Sequence, residues 1–186
     1  MRFPFQHYYL QNWDIEHVRS QISKDIQGKD RENWAITQLE YFTGIKWSVE
    51  NKDKILLAIE SINEEERSFC EKLITITSSS KVEDAVFYEV YEKLKVYFKE
   101  NEQFEAVDGI GNLVLLDDGT NRMYKNAFFP VKRKHIIQKE KQGVYIPLCT
   151  RNVFLKAYSQ KLGEVMFWNT NDSEDYQTEI YRLLKP

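Results

Sequence analysis

The sequence predicts an α+β fold in a single domain that is mostly helical and contains one small pair of strands. The chain has 186 residues with only seven glycines and four prolines, which favours helices over a turn-rich sandwich or barrel. Apolar residues recur at helical spacing in several stretches, and two short segments have the pattern of strands. A chain of this length can bury a core of its own.

The two predicted strands lie far apart in the sequence. Residues 13–18 alternate bulky apolar side chains with carboxylates ahead of His17, which is typical of a short, half-buried strand. Residues 110–117 are apolar and are followed by Asp118 and Gly119, which indicates a mostly buried strand that ends in a turn.

Four helices are predicted between the strands. The first spans about residues 31–42 and is followed by Gly44, a residue typical of helix C-termini. The second spans about residues 53–62, and Asn63 is placed to cap the third. The widest apolar stripe, from Val82 to Phe98, predicts the fourth helix.

The second strand is predicted to lead into a short helix capped by Thr120. Pro130 would end that helix, because the residue before a proline disfavours helical backbone angles. Further on, the pattern predicts an apolar run at residues 144–148 and helices at about 152–159 and 174–184.

Several classes of protein are disfavoured by the sequence. No apolar run is long enough to span a bilayer and the N-terminus has no signal-peptide pattern, so we expect a cytoplasmic protein without a membrane partner. The two cysteines, Cys70 and Cys149, are too few for a disulfide framework and are assigned to packing.

The charge is distributed unevenly. The formal net charge is −3, yet residues 122–163 contain ten Lys and Arg residues and a single acidic one, Glu140. Such a segment can neutralise the phosphates of nucleic acid, although a solvated charged face is the more usual explanation. The phosphate-binding candidates are Arg122, Lys125, Lys132 and Arg133, and Lys125 and Lys132 are the strongest.

Asp14, Glu16 and His17 are the candidates for chemistry. Phosphodiester hydrolysis needs a base that activates water and a cation that neutralises charge, and a histidine beside carboxylates can provide both. Taken alone, the tetrapeptide of residues 14–17 is a pattern that arises often by chance. The alternative interpretation is that these are polar residues on an exposed edge strand.

A second set of residues strengthens the first. The strand with Asn112 is followed by a turn and a short helix with Asn121, and this order resembles the ββα-metal, or His-Asn-His, nuclease finger. Most of the chain is similar to the C-terminal nuclease domain of GmrSD-type, modification-dependent restriction endonucleases. The similarity rests on residues 13–17, 110–116, Asn121, 124–126, 128–133, 154–156 and 168–184. One departure is Val18 and the residues after it, where such domains often have a proline.

The resemblance implies an organisation of the finger. Its first strand would lie at residues 13–18 and its second strand with the helix at 110–129, separated by a helical insertion at 19–109. A basic and helical region would follow at 130–186. The long insertion is acceptable because loop-closure entropy grows slowly with length.

The resemblance also implies roles for the site residues. His17 would be the general base, and Asn112 would orient the histidine or tie the two strands. Glu16 and Asn121 would hold one Mg²⁺ or Mn²⁺ ion, with Asp14 as an additional acceptor. The substrate would be DNA, cut as part of a restriction or anti-phage system. A nucleotide-dependent N-terminal sensor domain would be absent from this chain or provided by another.

Two other functions remain open. The chain can be a DNA-binding or interaction module that has kept the finger and lost cleavage, although intact Glu16, His17 and Asn121 argue against this. An all-helical adaptor whose basic stretch meets an acidic protein would leave the asparagines unexplained. Metal-dependent nicking of plasmid DNA separates the nuclease from both alternatives.

Overall fold

The chain folds into two compact units, one formed by residues 1–21 and 98–186 and the other by residues 22–97. The computed structural model describes residues 6, 10, 12–20, 26, 28–78, 82–105, 107–119, 124, 126–160 and 164–185. Within these ranges it contains seven bounded α-helices and one two-stranded antiparallel sheet, which confirms the α+β class.

In its described part, the unit of residues 22–97 contains helices and the segments that connect them, and no strand. Its helices are α1 (Lys29–Thr43), α2 (Lys52–Ser61), α3 (Glu64–Ser78) and α4 (Asp84–Tyr97). Their apolar faces bury a core that includes Trp34, Leu39, Leu73, Phe87 and Leu94. The spacing of apolar side chains in the sequence predicts all four helices.

Two helix ends in this unit follow the predicted capping chemistry. Gly44 adopts a left-handed conformation with φ of 69° after α1, and its N–H donates to the Glu40 carbonyl. The Asn63 side chain accepts a hydrogen bond from the Glu66 N–H at 2.9 Å. Both predictions are confirmed, because glycine tolerates positive φ and asparagine satisfies an unpaired N–H of the first helical turn.

The other unit contains the sheet. Strand β1 (Trp13–His17) pairs antiparallel with β2 (Leu113–Asp117), so that His17 lies opposite Leu113 and Trp13 opposite Asp117. Among the described residues after β2, the bounded helices are α5 (Phe129–Lys141), α6 (Leu148–Phe154) and α7 (Thr170–Leu184). The pairing of two strands that lie almost a hundred residues apart in the sequence agrees with the implied finger.

A continuous apolar core lies under this sheet. Val114 and Leu116 of β2 pack in one cluster with Phe129, Phe154 and Trp168. The Phe129 ring contacts both other rings, with centroids 5.6 Å from Phe154 and 5.7 Å from Trp168. Burial of these large side chains holds α5 and α6 in place relative to β2.

Two predicted element boundaries are wrong, and one helix is missing from the prediction. The second strand begins at Leu113 and not at Ile110, because residues Ile110–Asn112 form a 3₁₀ turn. Helix α5 was not predicted, because Pro130 was interpreted as a stop, whereas it lies in the first turn of a new helix. Helix α6 ends at Phe154, before Lys156 takes a left-handed φ of 58°, so the helix predicted at 152–159 lies too late.

The short helix predicted after Thr120 falls mainly on residues outside the described part. Among the described residues, no helix has the length and apolar character needed to cross a membrane.

Candidate active site

The main chain just after β1 is fixed by one buried asparagine. The Asn112 side chain accepts a hydrogen bond from the Arg19 N–H at 2.9 Å and donates to the Arg19 carbonyl at 3.1 Å. It also donates to the Val107 carbonyl at 2.9 Å, and its own carbonyl accepts from the Val18 N–H at 2.8 Å. Asn112 therefore ties the end of β1 to the turn before β2.

Gly111 lets this turn approach helix α7. A Cβ atom added at Gly111 would lie 2.2 Å from the Ser173 carbonyl oxygen and 2.6 Å from its hydroxyl, well inside van der Waals contact. Only glycine allows so close an approach without a shift of the main chain. The Ile110–Asn112 turn is thus held from one side by α7 and from the other by β1.

His17, at the end of β1, is partly exposed and has a carboxylate beside it. The His17 Nε2 atom lies 3.4 Å from Asp108 Oδ1, a long contact at the edge of hydrogen bonding. The exposed fraction is 30% for the His17 side chain and 82% for that of Asp108. Solvent and a substrate can therefore reach the pair.

Glu16 has a different environment from its neighbour His17. Its carboxylate is buried and its Oε1 atom lies 2.6 Å from the Lys132 ammonium, which is also buried. The Lys132 ammonium donates a second hydrogen bond, of 2.7 Å, to the His17 carbonyl oxygen. The side chains of Glu16 and His17 thus contact different partners, Lys132 and Asp108, as strand alternation requires.

Lys132 lies in the first turn of α5, and the start of that helix is anchored. The buried Glu100 carboxylate accepts a hydrogen bond of 2.6 Å from the Phe129 N–H, the first residue of α5. A carboxylate at this end of a helix satisfies an unpaired N–H and interacts favourably with the helix dipole. The Arg19 guanidinium in turn donates to the Glu100 carbonyl, and burial lowers the pKa of Arg19.

Part of this site lies in a range of the chain that matches a known protein family. The profile of the family described as GmrSD restriction endonucleases, C-terminal domain, matches residues 89–182. That range is about half of the chain and includes Asp108, Asn112 and Lys132, as well as α5, α6 and most of α7. The chain belongs to this family. No curated protein sequence and no solved structure gives a significant match.

Strand β1 lies outside the range matched to the GmrSD family. Its assignment to the site therefore rests on the structure, which pairs β1 with β2 and joins the two through Asn112. In this GmrSD C-terminal domain, the turn that holds Asp108 and Asn112 comes from the matched part and His17 from the part before it.

The predicted metal ligands do not form a set among the described residues. Glu16 faces Lys132, and Asp14 is exposed, with its Oδ1 accepting from the Ile15 N–H at 2.8 Å. Asn121 lies outside the described part. No group of three or more His, Cys, Asp or Glu residues in the described ranges is arranged to hold a metal ion. The roles of Glu16, Asp14 and Asn121 as ligands stay predictions.

The predicted phosphate contacts lie in unlike environments. Lys132 is buried, and the Arg133 guanidinium donates to the Phe154 carbonyl at 2.9 Å. A buried ammonium cannot contact a DNA phosphate in this arrangement. The prediction of Lys132 as a phosphate-binding residue is therefore not supported by its position. Arg122 and Lys125 lie outside the described part. Further along α5, Lys141 is exposed and Lys139 is partly exposed.

Sequence analysis did not identify Asp108 as a site residue. The signal was nevertheless present: if β1 and β2 pair with His17 opposite Leu113, the residues just before Leu113 must return close to His17. Asp108 and Gly109 immediately precede that turn. The hypothesis of paired strands would have placed this carboxylate near the histidine.

Proposed function

We propose that this domain is a DNA endonuclease of the His-Asn-His type, in which His17 is the general base that activates water. The observation that carries the proposal is the partly exposed His17–Asp108 pair in a chain that belongs to a family of restriction endonuclease domains. An imidazole ring can accept a proton from water at one of its nitrogens, which is what a general base must do.

The chemistry of the pair follows from its geometry. As the water oxygen attacks phosphorus, a proton of the water passes to a ring nitrogen of His17. The P–O bond to the leaving oxygen of the DNA backbone breaks, and that oxygen takes the bonding electron pair and a proton from solvent. The Asp108 carboxylate, 3.4 Å from Nε2, favours the imidazolium that forms. Asp108 therefore orients His17 and stabilises its charged form.

The fixed main chain gives His17 a defined position. Asn112 binds the main-chain groups of Arg19, and its own carbonyl binds the Val18 N–H. A general base must lie within hydrogen-bond reach of its proton donor, so small displacements reduce its effect. Asn112 acts here as the residue that ties the two strands.

We further propose that the reaction depends on one Mg²⁺ or Mn²⁺ ion, which would neutralise charge on the phosphate. The family implies this dependence, and hard oxygen donors suit either ion. The described residues do not assemble the predicted ligand set. Titration of the domain with Mg²⁺ and with Mn²⁺ would show which ion supports cleavage.

DNA is the proposed substrate, and Lys139 and Lys141 of α5 are proposed as phosphate contacts. Both belong to the basic segment, and both are at least partly accessible. The larger setting, a restriction or anti-phage system in which a nucleotide-dependent N-terminal domain controls cleavage, stays a prediction.

Nicking of supercoiled plasmid DNA tests the proposal. The wild-type domain should relax plasmid with Mg²⁺ or Mn²⁺ and stop in excess chelator, whereas its thermal unfolding should not change on chelation. His17→Ala should bind DNA as the wild type does and cut at least a hundredfold more slowly. DNA binding without cleavage by the wild type under every ion would favour the inactive binding module.

A further inference from the structure

We infer that Lys132 is a positioning residue for His17 and that Glu16 is the counter-ion of Lys132 and not a metal ligand. This inference rests on the proposed function, in which His17 is the general base. It assigns both residues a role different from the ones that the sequence predicts for them.

The Lys132 ammonium joins two groups, the Glu16 carboxylate and the His17 carbonyl. Lys132 Nζ lies 2.6 Å from Glu16 Oε1 and 2.7 Å from the His17 carbonyl oxygen. The exposed fraction is 1% for Lys132 and 5% for Glu16. The pair is therefore shielded from water, in contrast to the exposed ion pairs on the surface.

Burial explains why the two residues depend on each other. An isolated charge inside a protein loses the solvation that water provides, so a buried ammonium requires an anion and further acceptors. Glu16 provides the anion and His17 the carbonyl. The Glu16 carboxylate is therefore needed to hold Lys132 in place, whether or not an ion is bound elsewhere.

The contact with the His17 carbonyl makes the pair relevant to the site. The carbonyl and the imidazole belong to the same residue, so fixing the peptide group restricts the direction in which the ring points. On the other side of this peptide group, the Val18 N–H is bound to the Asn112 carbonyl. Because Glu100 anchors the start of α5, Lys132 transmits the position of that helix to His17.

The same geometry disfavours a metal ion on Glu16. A divalent cation bound to this carboxylate would lie close to the Lys132 ammonium, and like charges a few ångströms apart in a protein interior repel strongly. Direct coordination would require Lys132 to leave a buried position in which it has two short contacts. Ion pairing with Lys132 thus satisfies Glu16 without a metal.

A matched pair of variants tests the positioning role. Lys132→Met and Lys156→Met each remove a buried ammonium that contacts one carboxylate and one main-chain carbonyl. In the control these partners are Asp172 at 2.8 Å and the Glu164 carbonyl at 2.6 Å, remote in sequence from His17. Both variants should unfold more readily. At temperatures where both variants are folded, only Lys132→Met should lower kcat. We expect kcat to fall at least tenfold and KM to stay within twofold of the wild type.

Two readouts keep the test informative. If Lys132→Met does not fold, the double variant Glu16→Met with Lys132→Met removes both buried charges and should fold, again with reduced kcat. The second readout is the imidazole signal of His17 in NMR spectra, which is assigned by its absence in His17→Ala. This signal should shift in the Lys132 variants and not in Lys156→Met. This signal decides the positioning role even if the wild type proves inactive, which would refute only the proposed function. An unmoved signal together with unchanged kcat would overturn the inference.

Glu16→Gln tests whether Glu16 binds the metal ion. Glutamine keeps an oxygen acceptor for Lys132 and removes the negative charge that a metal ligand would use. The Mg²⁺ concentration for half-maximal cleavage should stay within twofold of the wild type. An increase of tenfold or more would show that Glu16 binds the ion and would contradict this assignment.

Discussion

The Asn112 side chain holds the main chain of Arg19 from both sides, accepting from its N–H at 2.9 Å and donating to its carbonyl at 3.1 Å. Arg19 comes two residues after His17 and has no regular partner strand of its own. The Asn112 amide therefore forms the hydrogen bonds to the Arg19 main chain that a neighbouring strand forms to β1. It also donates to the Val107 carbonyl.

We predict that Asn112→Ala lowers the free energy of unfolding by about 3 kcal/mol, because three buried hydrogen bonds are lost and main-chain groups remain unpaired. Asn112→Asp should be at least as harmful, since a carboxylate oxygen would face the carbonyls of Arg19 and Val107. Urea denaturation measures both, with Asn152→Ala as the control for a half-buried asparagine. Equal stability of the Asn112 and Asn152 variants would show that the hydrogen bonds of Asn112 to the main chain do not stabilise the fold as described.

Gly111→Ala should destabilise the unit that contains the sheet, by about 1–3 kcal/mol. The added methyl group would overlap the Ser173 carbonyl oxygen, which cannot move without displacing the first turn of α7. Gly119→Ala is the matched control, because its Cβ would meet only the Asp117 side chain at 3.2 Å. The expected result is a lower thermal midpoint for Gly111→Ala alone. Indistinguishable midpoints would rule out the close approach.

His135 predicts a pH dependence of stability. It is buried and stacks on Tyr124 with ring centroids 3.9 Å apart, and burial together with Lys134 and Lys139 lowers its pKa to about 4. In the unfolded chain it titrates near 6.5, so the unfolded state binds more protons between these values. Stability should therefore fall as pH drops from about 6.5 to 4, by up to about 3 kcal/mol from this group.

His135→Phe should remove this part of the dependence while keeping a ring on Tyr124. Denaturation of the wild type and of the variant at several pH values gives the difference in their unfolding free energies. That difference should change in favour of the variant as the pH falls below 6.5. A difference that is constant across this range would show that His135 does not titrate as described.

Phosphate binding by α5 predicts a salt effect. Each phosphate contact releases counterions, so replacing Lys139 and Lys141 with glutamine should flatten the dependence of log K for DNA on log salt by up to about 2 units of slope. Lys72→Gln with Lys93→Gln is the control, because both lysines pair with Glu89 in the helical unit. Equal slopes for the two double variants would place the DNA surface elsewhere.

The elements that the sequence predicted well are those in which local chemistry and packing agree. Helix α1 shows both, since its apolar spacing and the Gly44 cap point to the same end. Strand β1 was predicted from alternation, but its pairing with β2 came only from the resemblance, because no local rule joins residues so far apart.

The site was harder to predict because burial depends on tertiary structure. Lysine in a basic segment usually lies at the surface, so nothing in the sequence indicated that Lys132 is buried against Glu16. Helix α5 was missed for a related reason: proline ends a helix when it is internal but suits the first turn, and Pro130 lies there. Asp108 became visible only once the register of the strands was known.

Chemical rescue of His17→Ala tests the central claim most directly. The variant should fold, bind DNA with wild-type affinity and cleave at least a hundredfold more slowly, and added imidazole should restore part of the rate by taking the place of the missing base. His135→Phe, which removes a histidine that has no role in the proposed site, is the control, and added imidazole should not change its rate. Cleavage by His17→Ala at the wild-type rate without imidazole would show that His17 is not the general base.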